Sequence, residues 1–464
     1  MVISFMHWDI EVDIVVVGGG GCGLTAALSA AESGLEVAIL EKTEFILGNT
    51  AASGGMIPAA GTRFQLEKGI IDNPEQMAKE ILEKNKYTGD PDQTLRVSKE
   101  SASLIEWLVD RHDIKLSLVT EFLLPGHKTY RMHAPPSRSG LELMKMLRSA
   151  VRKMDNIYLM LKSPVTKLVL SDNNEVIGVE TNTPNGKQRI GAKKVILADG
   201  GYGGNKEIVN KFIPEIADAL YFGYEANTGD AISMSAEANA ELKNMSAYQG
   251  HASVSEAHGI LVTWGAVMLG GFIVNNRGFR FGNESQGYSE YAREVLNQPE
   301  KHAYMIFDQE IYSQLQGIED FKNLADFKAF HYSDSIEGLA EKLELDPEIL
   351  KTTLEKYNAS VTLGEDEFGR RVLPKKLTDS YYGIKIVPAL FHTQGGLRIN
   401  ENAQVLGKNG VPIPNLYAGG GSSVGISGTL AEGYVAGNGL LCALGFGKIA
   451  GNHAAKSINQ VEVR

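Results

Sequence analysis

The stretch Val12 to Gly23, VDIVVVGGGGCG, constrains this chain most. A short β-branched run leads into Gly18-x-Gly20-x-x-Gly23. A helical pattern, LTAALSAAESG, follows, then a second apolar run, VAIL, that ends at Glu41. The order predicts strand, tight turn, helix, strand. Glu41 lies 18 positions after Gly23, near the spacing of about 20 expected of an acid that meets a ribose hydroxyl. The glycines make the turn, admit a pyrophosphate to the backbone and let helix and strand pack closely. The helix start offers unpaired N–H groups to phosphate. Together these features predict a dinucleotide site at Gly18, Gly20, Gly21, Cys22 and Gly23.

At 464 residues the chain is long enough for two or three domains. Its net charge of −11 argues against nucleic acid or an anionic membrane as main partner. Its two cysteines, Cys22 and Cys442, form no disulfide framework or metal-ligand spacing, which points to a reducing compartment. The N-terminal MVISFMHWDIEVD has no basic start before a long apolar core, and no apolar run reaches membrane-spanning length. A cytoplasmic location is expected.

Further along, ILGNTAASGGM (46–56) is a small-residue loop beside the expected pyrophosphate site. Residues 73–113 show helical spacing, with Asn73-Pro74 as a start. The loop 125–140 could line a pocket through His127, Tyr130 or His133. A β-ribbon is expected around Asn173-Asn174, closed by KKVILADGG with a second Gly-rich turn. The texture changes from about Met245 to Val372, which reads as an inserted cap. The expected division is therefore 1–245 (first part of the nucleotide domain), 246–372 (cap) and 373–464 (second part). The last segment ends in a Gly- and Ala-rich helix suited to close packing on the first one.

The set GGGGCG, GNTAASGGM, ADGGYGGN, TGDAISM, NNRGFRFGNES, FHTQGGLRIN and NLYAGGG…GISG resembles the flavoprotein family of soluble fumarate reductases and 3-ketosteroid dehydrogenases, in order and over essentially the whole chain. The resemblance implies an α/β fold, a Rossmann-like FAD domain of the glutathione-reductase type with an α+β cap over the flavin. It implies FAD contacts at Gly18 to Gly23, Glu41, Lys42, Asn49, Thr50, Ser53, Gly54, Gly55, Val165, Ala198, Asp199, Gly200, Asp230, Gly420, Thr429, Leu430 and Ala431. Membrane-bound relatives attach FAD to a histidine of the GNT loop. Asn49 and Thr50 stand there, so non-covalent FAD is implied.

The family's fumarate reductases clamp two carboxylates with arginines and histidines. Here one histidine remains, His251. Trp264, Val267, Tyr288 and Phe391 stand where that pattern has a glutamate, two arginines and a histidine, and the arginine of the C-terminal loop finds no counterpart in GGSSVGISGTLAEG. A dicarboxylate in a dry pocket needs paired cations, so these replacements favour a small neutral, hydrophobic substrate. A tyrosine after Arg280-Phe281-Gly282-Asn283-Glu284-Ser285 resembles the ketosteroid branch. That implies Tyr288 as base for the α-proton of a cyclic ketone while the β-hydride goes to the flavin. Arg280 or Tyr130 could support the tyrosinate, and Tyr382, His392 or Thr393 could polarise the carbonyl. The alternatives are an ene-reductase running the reverse reaction and a flavin-binding module without catalysis. No second GxGxxG of comparable quality points to NAD(P), which leaves the electron acceptor open.

Overall fold

The computed structural model describes residues 7–462. The first six residues, where the leader reading begins, lie outside it. Strand β1 (Ile10–Val17) runs into the Gly-rich turn, helix α1 (Gly21–Ala31) and strand β2 (Val37–Leu40). β1 and β2 are parallel, with Ile14 opposite Val37 and Val17 opposite Leu40. The region 73–113 forms α2 (Pro74–Lys84) and α3 (Pro91–His112), capped by the Asn73 and Asp90 side chains. Strands β3 (Ile157–Met160), β4 (Val165–Leu170), β5 (Val176–Thr183) and β6 (Gly186–Leu197) follow. The β4–β5 turn places Asn174 at φ +65°, a left-handed position that asparagine tolerates.

The chain then builds a second sheet from β7 (Tyr248–Ser255), β8 (Ile260–Leu261), β9 (Phe272–Val274), β10 (Ala303–Asp308), β11 (His331–Ser333) and β12 (Tyr381–Thr393). Helices α4 (Tyr288–Leu296) and α5 (Pro347–Leu363) belong to the same segment, and α5 is capped by Asp346. Strands β13 (Gln404–Leu406) and β14 (Pro412–Ala418) re-enter the first sheet, and α6 (Asn438–Glu462) ends the described chain.

The first sheet has the order β13-β14-β6-β1-β2-β3, with the β4–β5 ribbon joined through β5 to β6. The turns after β1, β2, β6 and β14 all leave from the carboxyl edge of its parallel strands, where such sheets bind ligands. The second sheet runs β8-β7-β12-β10-β9. Each sheet carries its own apolar core. Because β12 pairs with β7 and β10, the return to the first sheet comes after Thr393, well beyond the expected residue 373. Val119, Phe122 and Met132, from ahead of residue 245, also pack into the second core.

Helix α1 is buried on every side and lies against α6. A Cβ at Gly447 would stand 2.5 Å from the Cys22 carbonyl oxygen, and one at Gly451 would stand 2.2 Å from that of Ala26. Only glycine permits this approach, and it fixes α6 so that its first turn faces the cleft between the two sheets. Among the described residues no helix is long and apolar enough to cross a membrane.

Candidate active site

One long cleft, about 1920 Å³ of empty space counting its open mouth, runs from the Gly-rich turn to the cap. Gly18, Gly20, Gly21, Cys22, Glu41, Lys42, Asn49, Thr50, Ser53, Gly54, Val165, Ala198, Asp199, Gly200, Asp230 and Gly420 line it. Gly20 caps α1 with no side-chain hydrogen bond, so the first-turn amides stay available to a ligand. A Cβ on Gly20 would meet nothing within 4 Å, whereas one on Gly21 would stand 2.5 Å from Thr50 Oγ1. Gly18, at φ +100°, lies so close to β6 that a Cβ would be 2.5 Å from the Ala198 carbonyl oxygen. This backbone cradle at a bare helix start fits a pyrophosphate.

The side chains around it are held in place. Glu41 accepts the Gly19 N–H at 2.9 Å on one carboxylate oxygen and the Thr43 N–H at 2.9 Å on the other. Lys42 Nζ pairs with Asp230 at 2.6 Å and donates to Thr228 at 2.9 Å. Asn49 ties the GNT loop across the cleft: its Oδ1 accepts the Tyr224 N–H at 2.6 Å, and its Nδ2 donates to the Phe391 carbonyl at 3.2 Å. Burial raises the Asp199 carboxyl to about 6, although the Ser422 hydroxyl and the Ala231 N–H both donate to it.

Six expected cofactor contacts fall elsewhere, the first being Gly19, whose N–H is spent on Glu41. Gly23 packs α1 on β1, where a Cβ would be 2.0 Å from the Gly18 carbonyl oxygen. Gly55 is a turn at φ +66° against Ser139. Thr429 uses its carbonyl to accept from Ser246, Leu430 is exposed, and Ala431 is buried in the cap core. The Gly-rich approach to α6 therefore meets the cleft earlier, at Gly420 and Gly421, and later, at Tyr434, Gly437 and Gly439.

The cap end of the cleft is aromatic. The His251 ring stacks between Tyr288 (4.4 Å between centroids) and Phe391 (4.9 Å), and Phe222 continues the stack at 4.9 Å. Trp264 meets His251 edge-on at 6.0 Å. His392 and Thr393 also line the cleft, and His392 sets its ring edge against Tyr434. Burial pushes the His251 pKa down to about 3 and that of His392 to about 4. Neither ring is a cation at neutral pH.

The rings of Tyr288 and Tyr434 lie beside each other in this pocket, 6.1 Å between centroids and tilted by 57°, near enough for each phenol to bear on the other's charge. Tyr434 Oη accepts the Gly439 N–H at 3.3 Å. Gly439 is the second residue of α6, so the tyrosine oxygen lies at the positive end of a 25-residue helix. Burial drives both phenols above their usual range. The Gly437 amide opposes that at both oxygens, and the Gly439 amide does so at Tyr434. Among the described residues, the only Lys and Arg side chains on the cleft wall are Lys42, which pairs with Asp230, and Arg138, which pairs with Glu121.

Four expected site residues lie outside the cleft. Tyr382 sits nine positions before Phe391 on β12, about 30 Å away along an extended strand. There it stacks on Tyr312 at 4.3 Å and donates to Gln309 at 2.7 Å. Tyr130 is an exposed loop residue whose carbonyl accepts from Gln65. Arg280 is buried against Glu284 (2.6 Å) and Asp366 (2.7 Å), with Arg370 completing the group at 3.2 Å from Glu284. Burial works against the Glu284 charge, but Arg370 and Arg280 outweigh it and hold the pKa low. The motif thus anchors the chain four residues before Tyr288 and touches no substrate space. Val267, one turn beyond Trp264, faces the cap core, and its carbonyl accepts from Arg370. His127 and His133 are also spent, on the Ala436 carbonyl and on Thr62.

Tyr434 is the site residue that sequence reading missed. Its signal was present: an aromatic hydroxyl three residues before Gly437-Asn438-Gly439, at a Gly-rich helix start.

The FAD binding domain family matches residues 13–440. The chain belongs to this FAD-binding family. FAD is its cofactor, and the backbone cradle above fits that molecule. The chain is 32% identical over 452 residues to the probable fumarate reductase Ifc3 of Shewanella frigidimarina (strain NCIMB 400), covering 96% of this chain and 74% of that one. It is 29% identical to a urocanate reductase of Eggerthella lenta, over 96% of this chain and 75% of that one. Among solved structures, it is similar to the open conformation of a flavocytochrome c3 fumarate reductase, with a TM-score of 0.79 at 30% identity over 97% of this chain and 79% of that one. It is also similar to the 3-ketosteroid-delta4-(5alpha)-dehydrogenase of Rhodococcus jostii RHA1 in complex with 4-androstene-3,17-dione, with a TM-score of 0.75 at 25% identity over 98% and 99%. This FAD-binding member is an oxidoreductase by family.

Proposed function

We propose that this FAD-dependent oxidoreductase acts on the α,β C–C bond of a neutral cyclic ketone and holds its FAD without a covalent link. The observation that carries the reading is Tyr288 beside Tyr434, 6.1 Å between ring centroids, in a pocket with His251, Trp264 and Phe391. A ketone's carbonyl oxygen and its α-hydrogen are close neighbours, and two phenols on one pocket wall serve one each. Tyr434, backed by the first turn of α6, holds the carbonyl oxygen and stabilises the enolate charge that develops there. Tyr288 exchanges the α-proton at its phenolic oxygen. Bound FAD supplies the two-electron acceptor for the β-hydride. The aromatic walls exclude water and match a ring. Fumarate is a poor fit, since among the described residues no unpaired Lys or Arg lines the cleft to balance a carboxylate.

Two observations favour the reverse direction, reduction of an α,β-unsaturated ketone. Burial holds Tyr288 as a neutral phenol, the form that donates a proton. The similar proteins of Shewanella and Eggerthella are named reductases. A pair of half-reactions tests direction and substrate together. Ketones are added to oxidised enzyme without oxygen and scored by flavin bleaching. Enones are added to dithionite-reduced enzyme and scored by return of the flavin colour. The faster half-reaction gives the direction, and failure of both with every ring ketone and enone defeats the reading.

A further inference from the structure

His251 is held in one protonation state by its neighbours. The Ser253 backbone N–H donates to Nδ1 at 3.3 Å. The Ser253 hydroxyl also lies 3.2 Å from Nδ1, but it donates its single hydrogen to the Val262 carbonyl at 2.8 Å. A ring nitrogen that accepts an amide hydrogen carries none of its own, so the proton of the neutral ring sits on Nε2. Tyr288, Phe391 and Trp264 surround the ring. No charged group offsets its burial. Among the described residues Nε2 finds no hydrogen-bond partner, and it opens to the cleft that the ring lines. A donor left unpaired in an apolar pocket is costly. In that reading the reacting carbonyl has its donor in Tyr434, so the Nε2–H is free for a different acceptor.

We propose that His251 is a fixed, uncharged Nε2–H donor for a second neutral oxygen of the substrate, away from the reacting carbonyl. The substrate class narrows to ring ketones or enones that carry another carbonyl or hydroxyl, with carboxylates rejected because a neutral imidazole cannot balance their charge. This inference rests on the ketone reading above.

The test compares two bicyclic ketones, with and without a second oxygen on the far ring, in the wild type, His251→Phe and His251→Gln. The wild type should prefer the doubly oxygenated ketone. His251→Phe should cut the ratio of the two kcat/KM values about tenfold, the scale of one hydrogen bond. His251→Gln keeps an N–H and should recover part of the ratio. Nitrogen-15 NMR of the wild type should show one neutral Nε2–H tautomer across the neutral pH range, a readout that needs no variant to fold. An unchanged ratio in His251→Phe, or a charged or Nδ1–H ring, overturns the inference. Bleaching by neither ketone defeats instead the ketone reading beneath it.

Discussion

At its cofactor end the cleft is walled by backbone. Gly18, Gly20, Gly21, Gly200 and Gly420 bring main chain to the surface, and Glu41, Lys42 and Asn49 are held by bonds to neighbouring residues. At its cap end the wall is made of side chains: Tyr288, His251, Phe391, Phe222, Trp264 and Tyr434. A backbone wall specifies what can approach closely, and one cofactor serves many reactions. A side-chain wall specifies charge and shape, and there the reaction is chosen. The difference lets a chain 32% identical to a probable fumarate reductase share the cradle while its cap-end wall follows a chemistry of its own.

The comparison breaks most easily at Tyr288. Tyr288→Phe should keep its flavin yet lose about 10²–10⁴-fold in kcat, the usual worth of a positioned acid or base. Tyr382→Phe, on the far half of β12, should leave kcat within about twofold, as expected of a residue outside the site. Equal losses in the two variants would return Tyr382 to the site. The pH dependence has a definite sign. Burial raises the Tyr288 pKa above its ordinary 10.0, so the phenol persists through the neutral range. Desaturation, which needs the phenolate, should therefore speed up as pH rises, while enone reduction should stay flat. Stopped-flow rates across pH measure both.

The other end is probed at Gly20. Its Cβ direction is open and its φ of −70° suits any residue. Gly20→Val should fold but place its methyls where the pyrophosphate lies, and it should purify with little flavin. Full flavin content, read from visible absorbance against protein, would move the cofactor away from the Gly-rich turn.

Arg280 sharpens the boundary between site and scaffold. Arg280→Met leaves Glu284 and Asp366 short of a partner in the core and should cost about 3–5 kcal/mol of stability. Thermal melts would show it, while the pH profile of turnover stays that of the wild type. A shifted profile without a lower Tm would make Arg280 an electrostatic partner of Tyr288.

The backbone end was the legible one. Glycine spacing, the strand before it and Glu41 after it define the cradle, because close approach leaves a residue-type signature. The close packing of α1 on α6 through Gly447 and Gly451 follows from the same logic. The cap end was legible only where a residue replaced a recognised pattern, as with Tyr288, Trp264 and Phe391. Tyr382 and Tyr434 look alike in sequence, and only the path of β12 and the start of α6 decide which one faces the cleft. Arg280 was misread for a related reason. Its sequence proximity to Tyr288 reflects a shared anchor, and its charge is consumed by Glu284 and Asp366.

The most direct measurement mixes dithionite-reduced enzyme with cyclohexenone and, separately, with fumarate, under anaerobic conditions, and follows the return of oxidised flavin. The neutral aromatic pocket predicts reoxidation by the enone and none above background by fumarate. Reoxidation by fumarate at a rate equal to or above that with the enone would contradict it.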